Sequence, residues 1–274
     1  MRTARTALPA AALRCSPCQP RKEKDMNKTL TWSYGGGTQS IAIALLIAQG
    51  KLPKPDIIVF ADTGMEASET FEYTKQYVSP LLATLGLEIE VVGQEWAKVG
   101  MYSHKGELLP PVFTEHGKLS TFCSKEWKTR VIHRYLRSRG VEECITWLGM
   151  STDEVERLKP SEVKWQEIRW PLCFDVPMNR SDCRQLILNY GWPEPPKSSC
   201  WMCPHRRNPQ WQRLKMYYPE DFNKAVILDK SMRAQDTKGG VWLHESRKPL
   251  DEIDFSQSDS QPELFGCESG FCWT

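Results

Sequence analysis

Residues 33–40 read SYGGGTQS. They follow the short apolar-leaning run KTLTW and lead straight into IAIALLIAQG. Three consecutive glycines between a strand and a helix cost backbone entropy, and glycine is the residue that lets backbone N–H groups come close to another group. At a helix N-terminus those N–H groups, with the positive end of the helix dipole, suit a phosphate. A tight turn with no ligand can use the same residues. The stretch has no GK followed by Ser or Thr and no GxGxxG, so neither the Walker loop nor the dinucleotide fingerprint fits it.

Outward from that turn, the chain alternates strand and helix. IAIALLIAQG reads as a buried helix ending at Gly50, and PDIIVFADTG as a buried parallel strand closed by Asp62, Thr63 and Gly64. ASETFEYTKQYVSPLLATLG is helical and LEIEVVGQ is the next strand. SKEWKTRVIHRYLRSR, residues 124–139, forms an amphipathic helix with Trp127, Val131, Ile132 and Leu136 on or near one face. CITWLGM is a further buried strand, completing the sheet near Gly149. This grammar predicts an α/β fold: an open, mainly parallel sheet with helices on both faces, Rossmann-like, plus a Cys-bearing C-terminal elaboration. The expected divisions are a disordered or upstream-started tail over 1–25, a nucleotide-binding domain over 26–160, a Cys-, Trp- and Pro-rich elaboration packed on it over 161–255, and a linker with a Cys-bearing terminus over 256–274.

Composition bounds the function. A chain of 274 residues that is 40% hydrophobic and 26% charged has room for a core, and it lacks the 18-residue apolar run of a membrane span. The first 25 residues carry six Lys and Arg against Glu23 and Asp25, which leaves −2 for the rest once their +4 is taken from the +2 of the whole. The body is near neutral, so bulk charge does not argue for wrapping nucleic acid. The ten cysteines are Cys15, Cys18, Cys123, Cys144, Cys173, Cys183, Cys200, Cys203, Cys267 and Cys272. Without the apolar core of a signal peptide they do not read as a secreted disulfide scaffold, and a cytoplasmic location is expected. Clustered thiols then point to metal or redox chemistry. Cys200 and Cys203 form a CxxC, which alone supports zinc, an iron–sulfur cluster or a redox pair about equally, while Cys144, Cys173 and Cys183 read as core residues.

GGGTQS, an apolar helix and then ADTGMEASET together resemble the PP-loop ATP pyrophosphatase (adenine nucleotide alpha hydrolase) superfamily, within its phosphoadenylyl-sulfate (PAPS) reductase-like branch. The superfamily's SGGxDS loop aligns with Gly35, Gly36, Gly37, Thr38, Gln39 and Ser40, with Gly35 in place of Ser and Gln39 in place of Asp. The branch's DTG…ET segment aligns with Asp62, Thr63, Gly64, Glu69 and Thr70. The likeness covers most of residues 28 to 272. It implies adenine-nucleotide binding by Ser33, Gly35, Gly36, Gly37, Gln39, Ser40, Asp62, Thr63, Gly64, Gly149 and Arg157, with magnesium bridging the phosphates, although Gln39 brings that ion no charge. A side chain at Gly36 is expected to occupy the phosphate's space. LGMSTDEVERLKPS matches the family's acidic turn at Asp153, Glu154 and Arg157. Those carboxylates could orient substrate or metal, or could simply form a helix cap at Ser151 or Thr152.

The likeness also implies roles for Cys123, Lys125 and Lys128 as catalytic residues, the lysines facing the nucleotide and lowering the pKa of Cys123. The branch's Cys…CxxC set binds a four-iron cluster in several members. That implies metal ligation by Cys123, Cys200, Cys203 and Cys272, with Cys267 the other option for the fourth and a zinc knuckle the alternative. The Glu-Cys-Gly-Leu-His ending of the assimilatory sulfate reductases is absent, and GCESGFCWT stands there instead. The expected function is therefore ATP-dependent adenylation of an acceptor, tRNA or DNA, for sulfur transfer, with a cysteine desulfurase as a sulfur donor. Alternatives are a phosphoadenylyl- or adenylyl-sulfate reductase, or a zinc-stabilised nucleic-acid-binding module without catalysis. RWPLCFDVPMNRSDCRQLILNYGWPEPPKSSCWMCP resembles a segment of the reductase-like proteins frequent in phages and mobile elements. The basic segments around 125–139 and 205–215, with Trp127, Trp201 and Trp211 interleaved, are expected to hold a polynucleotide by phosphate contact and stacking.

Overall fold

In the computed structural model, which describes residues 25, 27–93, 95, 97, 100–236 and 240–256, the turn at 33–40 sits at the middle of a five-stranded sheet. Strand β1 (Thr29–Ser33) passes through it into helix α1 (Thr38–Ala48). Then come β2 (Ile57–Ala61), α2 (Ser68–Tyr73), a π-helical turn over Thr74–Val78, α3 (Ser79–Thr84) and β3 (Ile89–Val92). A small hairpin follows, β4 (Phe113–Thr114) and β5 (Gly117–Lys118). The basic segment forms a π-helical turn over Lys125–Thr129 and α4 (Arg130–Ser138), leading to β6 (Cys144–Leu148). Beyond it lie β7 (Gln166–Arg169), α5 (Pro171–Phe174), α6 (Arg180–Asn189), α7 (Asn208–Tyr217), α8 (Pro219–Gln235) and β8 (Val241–Trp242).

The sheet order is β3-β2-β1-β6-β7, and every pairing is parallel. Its central strands are buried on both faces, which is why they read as continuous apolar runs. Residues Ser40 to Ala48 of α1 are all buried, so this helix shows no polar stripe. It packs on one face with Leu172, Cys183, Ile187 and Trp192. On the other face Val131, Ile132 and Leu136 of α4 cover Val59, Ala61, Val92 and Cys144. The helices therefore sit on both faces, as the sequence predicts.

The sheet does not stop at β6. A fifth strand, QEIR, pairs parallel with it from Cys144 opposite Gln166 to Trp147 opposite Arg169. It is short, polar and at the edge, so it carries no apolar run to betray it. A third core gathers Val112, Met202, Trp211, Leu214, Phe222 and Leu243 around α7 and α8, beside the antiparallel sheet β5-β4-β8. Among the described residues no helix is long and apolar enough to cross a membrane.

Candidate nucleotide and thiol site

From β1 the chain crosses to β2 on one side, whereas β6 lies on the other, so the order in which strands are added reverses between β1 and β6 while all stay parallel. Ligands of open α/β sheets bind at the carboxyl ends of the strands where this reversal opens a crevice. The glycine loop leaves β1 there, and the turn after β6 packs directly on it. A Cβ on Gly149 would stand 3.1 Å from both N and Oγ of Ser40. Within the loop the Gly35 N–H donates to Ser40 Oγ at 3.1 Å, and the Ser198 hydroxyl donates to the Gly35 carbonyl. Gln39 donates its amide to Glu154 Oε2 at 2.9 Å, and Arg157 pairs with the other oxygen of the same buried carboxylate. Ser151 and Glu154 form a capping box. The helix cap expected of this turn is therefore present, and its Glu154 also meets the glycine loop through Gln39.

A cavity opens on this loop, bordered by Gly35, Gly37, Gln39, Ser40, Gly149 and Arg157 from the expected set, and by Glu154, Arg180, Lys197, Ser198 and Ser199. Gly36 is not on its wall. Gly36 has φ +70°, and a Cβ there would lie 2.5 Å from the Thr70 methyl, so the space it protects is beneath the loop and not the phosphate's. Ser33 is buried in the strand, and Asp62 and Gly64 border neither this cavity nor the next, Asp62 accepting the Gly64 N–H at 2.8 Å.

The CxxC is held beside the loop by backbone pairing to the segment after β2. Trp201 N–H donates to the Met65 carbonyl at 2.7 Å, and Ala67 N–H to that of Ser199 at 3.3 Å. A second cavity, bordered by Thr63, Cys123, Lys128, Cys200 and Cys203, shares Ser198, Ser199, Cys203 and His205 with the first. Lys128 is buried and ion-paired to Glu66 at 2.7 Å, and Cys200 Sγ lies 3.3 Å from Thr63 Oγ1. Lys125 borders neither cavity and pairs with Glu162 at 2.7 Å. The expectation that these lysines depress the Cys123 pKa is overturned. Burial, then the neighbouring Cys203, pushes that thiol up to about 12 against a weaker opposing pull from Lys128. Burial and the Glu66 charge likewise raise Cys200. His205 goes the other way, lowered to about 3 by burial and by the Lys118 and Lys197 ammonium groups. Lys118 Nζ lies 2.6 Å from its Nδ1, so the neutral ring accepts there.

Cys123, Cys200 and Cys203 thus meet at one cavity, while Cys267 and Cys272 lie outside the described residues. Among the described residues no three His, Cys, Asp or Glu side chains close on a single metal ion. A four-iron cube spreads its thiolates more widely than one ion does, and three soft thiol donors around one cavity suit such a group. Two buried hydroxyls with no hydrogen-bond partner among the described residues, Ser124 Oγ and Ser199 Oγ, belong to residues on the wall of the same cavity. Cys144 and Cys183 are core residues, and half-buried Cys173 donates to the Met150 carbonyl at 3.4 Å.

Folding withdraws two of the three tryptophans from the polynucleotide strip expected of the basic segments. Trp127 and Trp211 are buried in the core, with Trp127 Nε1 donating to the Gly100 carbonyl at 3.0 Å. Arg206 is buried against the Ser199 and Cys200 carbonyls, and Arg130 and Arg139 are paired with Glu126 and Glu90. The residues that sequence reasoning missed are Lys197, Ser198 and Ser199, just before the CxxC, and Arg180 at the start of α6. Their only signal was adjacency to a motif or to a helix cap.

No family model and no curated protein sequence matches the chain. Among solved structures it is similar to the phosphoadenylyl-sulfate (PAPS) reductase from Candida auris in its phosphate complex, at 13% identity over 65% of this chain and 84% of that one, with a TM-score of 0.43. It is similar also to the U34-tRNA thiolase NcsA from Methanococcus maripaludis with its [4Fe-4S] cluster, at 12% identity over 89% of this chain and 80% of that one, with a TM-score of 0.40. The fold class, α/β on a mainly parallel sheet, rests on the strand order itself.

Proposed function

We propose that the protein is a PAPS reductase-like PP-loop enzyme that binds an adenine nucleotide at residues 35–40 and activates an acceptor by adenylation for sulfur transfer, of the nucleic-acid thiolation type. One observation carries the reading: the cavity on the glycine loop and the cavity bordered by three thiols share a wall of Ser198, Ser199, Cys203 and His205. A nucleotide whose phosphates lie on the loop then has its reacting end beside the sulfur ligands. The acceptor oxygen attacks the α-phosphorus, pyrophosphate leaves, and a sulfur nucleophile displaces AMP from the adenylated acceptor. Cys123, Cys200 and Cys203, with Cys272, would hold a [4Fe-4S] cluster, which when bound presents sulfur or electrons to that centre.

The test is to purify the protein anaerobically, measure iron, zinc and acid-labile sulfide, and then offer ATP with tRNA, with DNA and with a sulfide donor. AMP, pyrophosphate and a thiolated base or backbone confirm the reading. Sulfite released from a sulfated adenine nucleotide, with no acceptor needed, moves the protein to the reductases. A colourless protein with one zinc and no AMP under any of these conditions makes it a binding module.

A further inference from the structure

The magnesium ion expected at the loop does not fit the residues there. Glu154 is the one carboxylate bordering the loop cavity among the described residues. Both of its oxygens are engaged: Arg157 pairs with Oε1, while Oε2 accepts from Gln39 Nε2 at 2.9 Å and from Ser151 N and Oγ at 3.3 Å each. The position that would bring a carboxylate into the loop is Gln39, whose amide is turned into that network. Magnesium sites of this kind use one or two carboxylates with the substrate's phosphates, and here none is left to offer.

The same wall carries cations instead. Arg157, Arg180 and Lys197 border the cavity on which Gly35 and Gly37 lie. Arg180 opens α6, and its backbone N–H is tied to Asp153 Oδ1 at 3.2 Å, which fixes its position beside the acidic turn. Lys197 Nζ lies 3.3 Å from Gln210 Oε1 and 3.5 Å from the His205 carbonyl, which holds the side chain along this wall. Ser199, 5% exposed, shares this wall and has a hydroxyl without a hydrogen-bond partner. A buried hydroxyl in that state calls for a partner from outside the chain, whether water, ion or ligand.

The geometry points to a divalent-independent polyphosphate site, in which Arg180 and Lys197 supply the positive charge that a metal ion would otherwise bring to the nucleotide, while the charge of Arg157 is taken up by Glu154. The inference rests on the proposed reading of the loop. Lysine and arginine are both established phosphate partners, and charge-assisted bonds from them are about twice as strong as neutral ones. The ion's charge is then replaced by groups already tethered to the wall of the site.

Titration calorimetry of the full chain with ATP, in EDTA and in millimolar magnesium, tests this. The expected result is an affinity in EDTA equal to or tighter than that in magnesium. Arg180→Ala and Lys197→Ala should each weaken binding about tenfold in EDTA, with Lys197→Arg restoring it and the unfolding midpoints unchanged. Binding that is tenfold or more weaker in EDTA overturns the inference while leaving the loop reading intact. So does an unchanged affinity in both alanine variants. No binding in either medium overturns the loop reading itself, and this inference with it.

Discussion

Gln39 reaches across the switch point of the sheet to donate its amide to Glu154 at 2.9 Å, tying the loop after β1 to the turn after β6. Glu154 is held in turn by Arg157, and both side chains are under a tenth exposed. Removing one member of a buried pair strands the other's charge. Glu154→Ala is therefore expected to cost about 3 kcal/mol in chemical denaturation, and Gln39→Ala only about 1 kcal/mol. The double variant should cost less than the sum, because the two losses share a partner. Additive losses would show that the network is not coupled.

Gly36 and Gly37 should behave differently although they are neighbours. Gly37 has φ −94°, and its missing Cβ would sit 3.5 Å from that of Ser198, an ordinary contact. Gly36 is left-handed and faces the Thr70 methyl. Gly36→Ala is expected to lower stability by about 2 kcal/mol and Gly37→Ala by well under 1 kcal/mol. Thr70→Ser should recover part of the first loss by removing the methyl, leaving only the backbone strain. Equal costs for the two alanine variants would contradict the packing beneath the loop.

His205 makes a pH signature. Its folded-state pKa, lowered from 6.5 to about 3 by burial and by Lys118 and Lys197, means the unfolded chain takes up the proton first as pH falls. The resulting stability is fully present above about pH 6.5 and is lost progressively as pH drops toward about 3. Carboxylates titrate in the same window, so the measurement is the difference from His205→Gln. Between pH 7 and pH 4 the wild type should lose a few kcal/mol more than the variant. Parallel curves would mean that the imidazole is solvated.

Ser199→Ala should separate stability from binding. A buried hydroxyl without a partner carries its desolvation cost uncompensated, so its removal is expected to raise the ligand-free unfolding free energy by up to about 1 kcal/mol. The same variant should bind ATP more weakly, since the hydroxyl's partner is the ligand. A variant that is both less stable and unchanged in affinity would place that hydroxyl in the protein's own network instead.

Much of this was legible in order along the chain. The apolar runs of β1, β2 and β6, the apolar stretch of α1 and the stripe on α4 report their burial directly, because a strand or helix enclosed by neighbours must be apolar where it is enclosed. The glycine loop and the CxxC are local motifs and read as such. QEIR was illegible, since an edge strand half in solvent needs no apolar run. Trp127 and Trp211 were misleading, because a tryptophan among basic residues looks the same whether it stacks on a base or fills a core. The depressed Cys123 thiol was misread because proximity to lysine in sequence says nothing of desolvation.

The sequence by itself determined the alternation of strand and helix, the parallel sheet it demands, and the presence of a backbone-lined loop at a helix start. Those follow from side-chain period and from the conformations that glycine permits, which are properties of neighbouring residues. Only the tertiary structure decided what stands around that loop. Ser198 bonds to Gly35 from 163 residues away, Lys128 is neutralised by Glu66, and Glu154 is claimed by Gln39 and Arg157. Charge, burial and distance between remote segments set the chemistry of a site, and none of the three is a property of a stretch of chain.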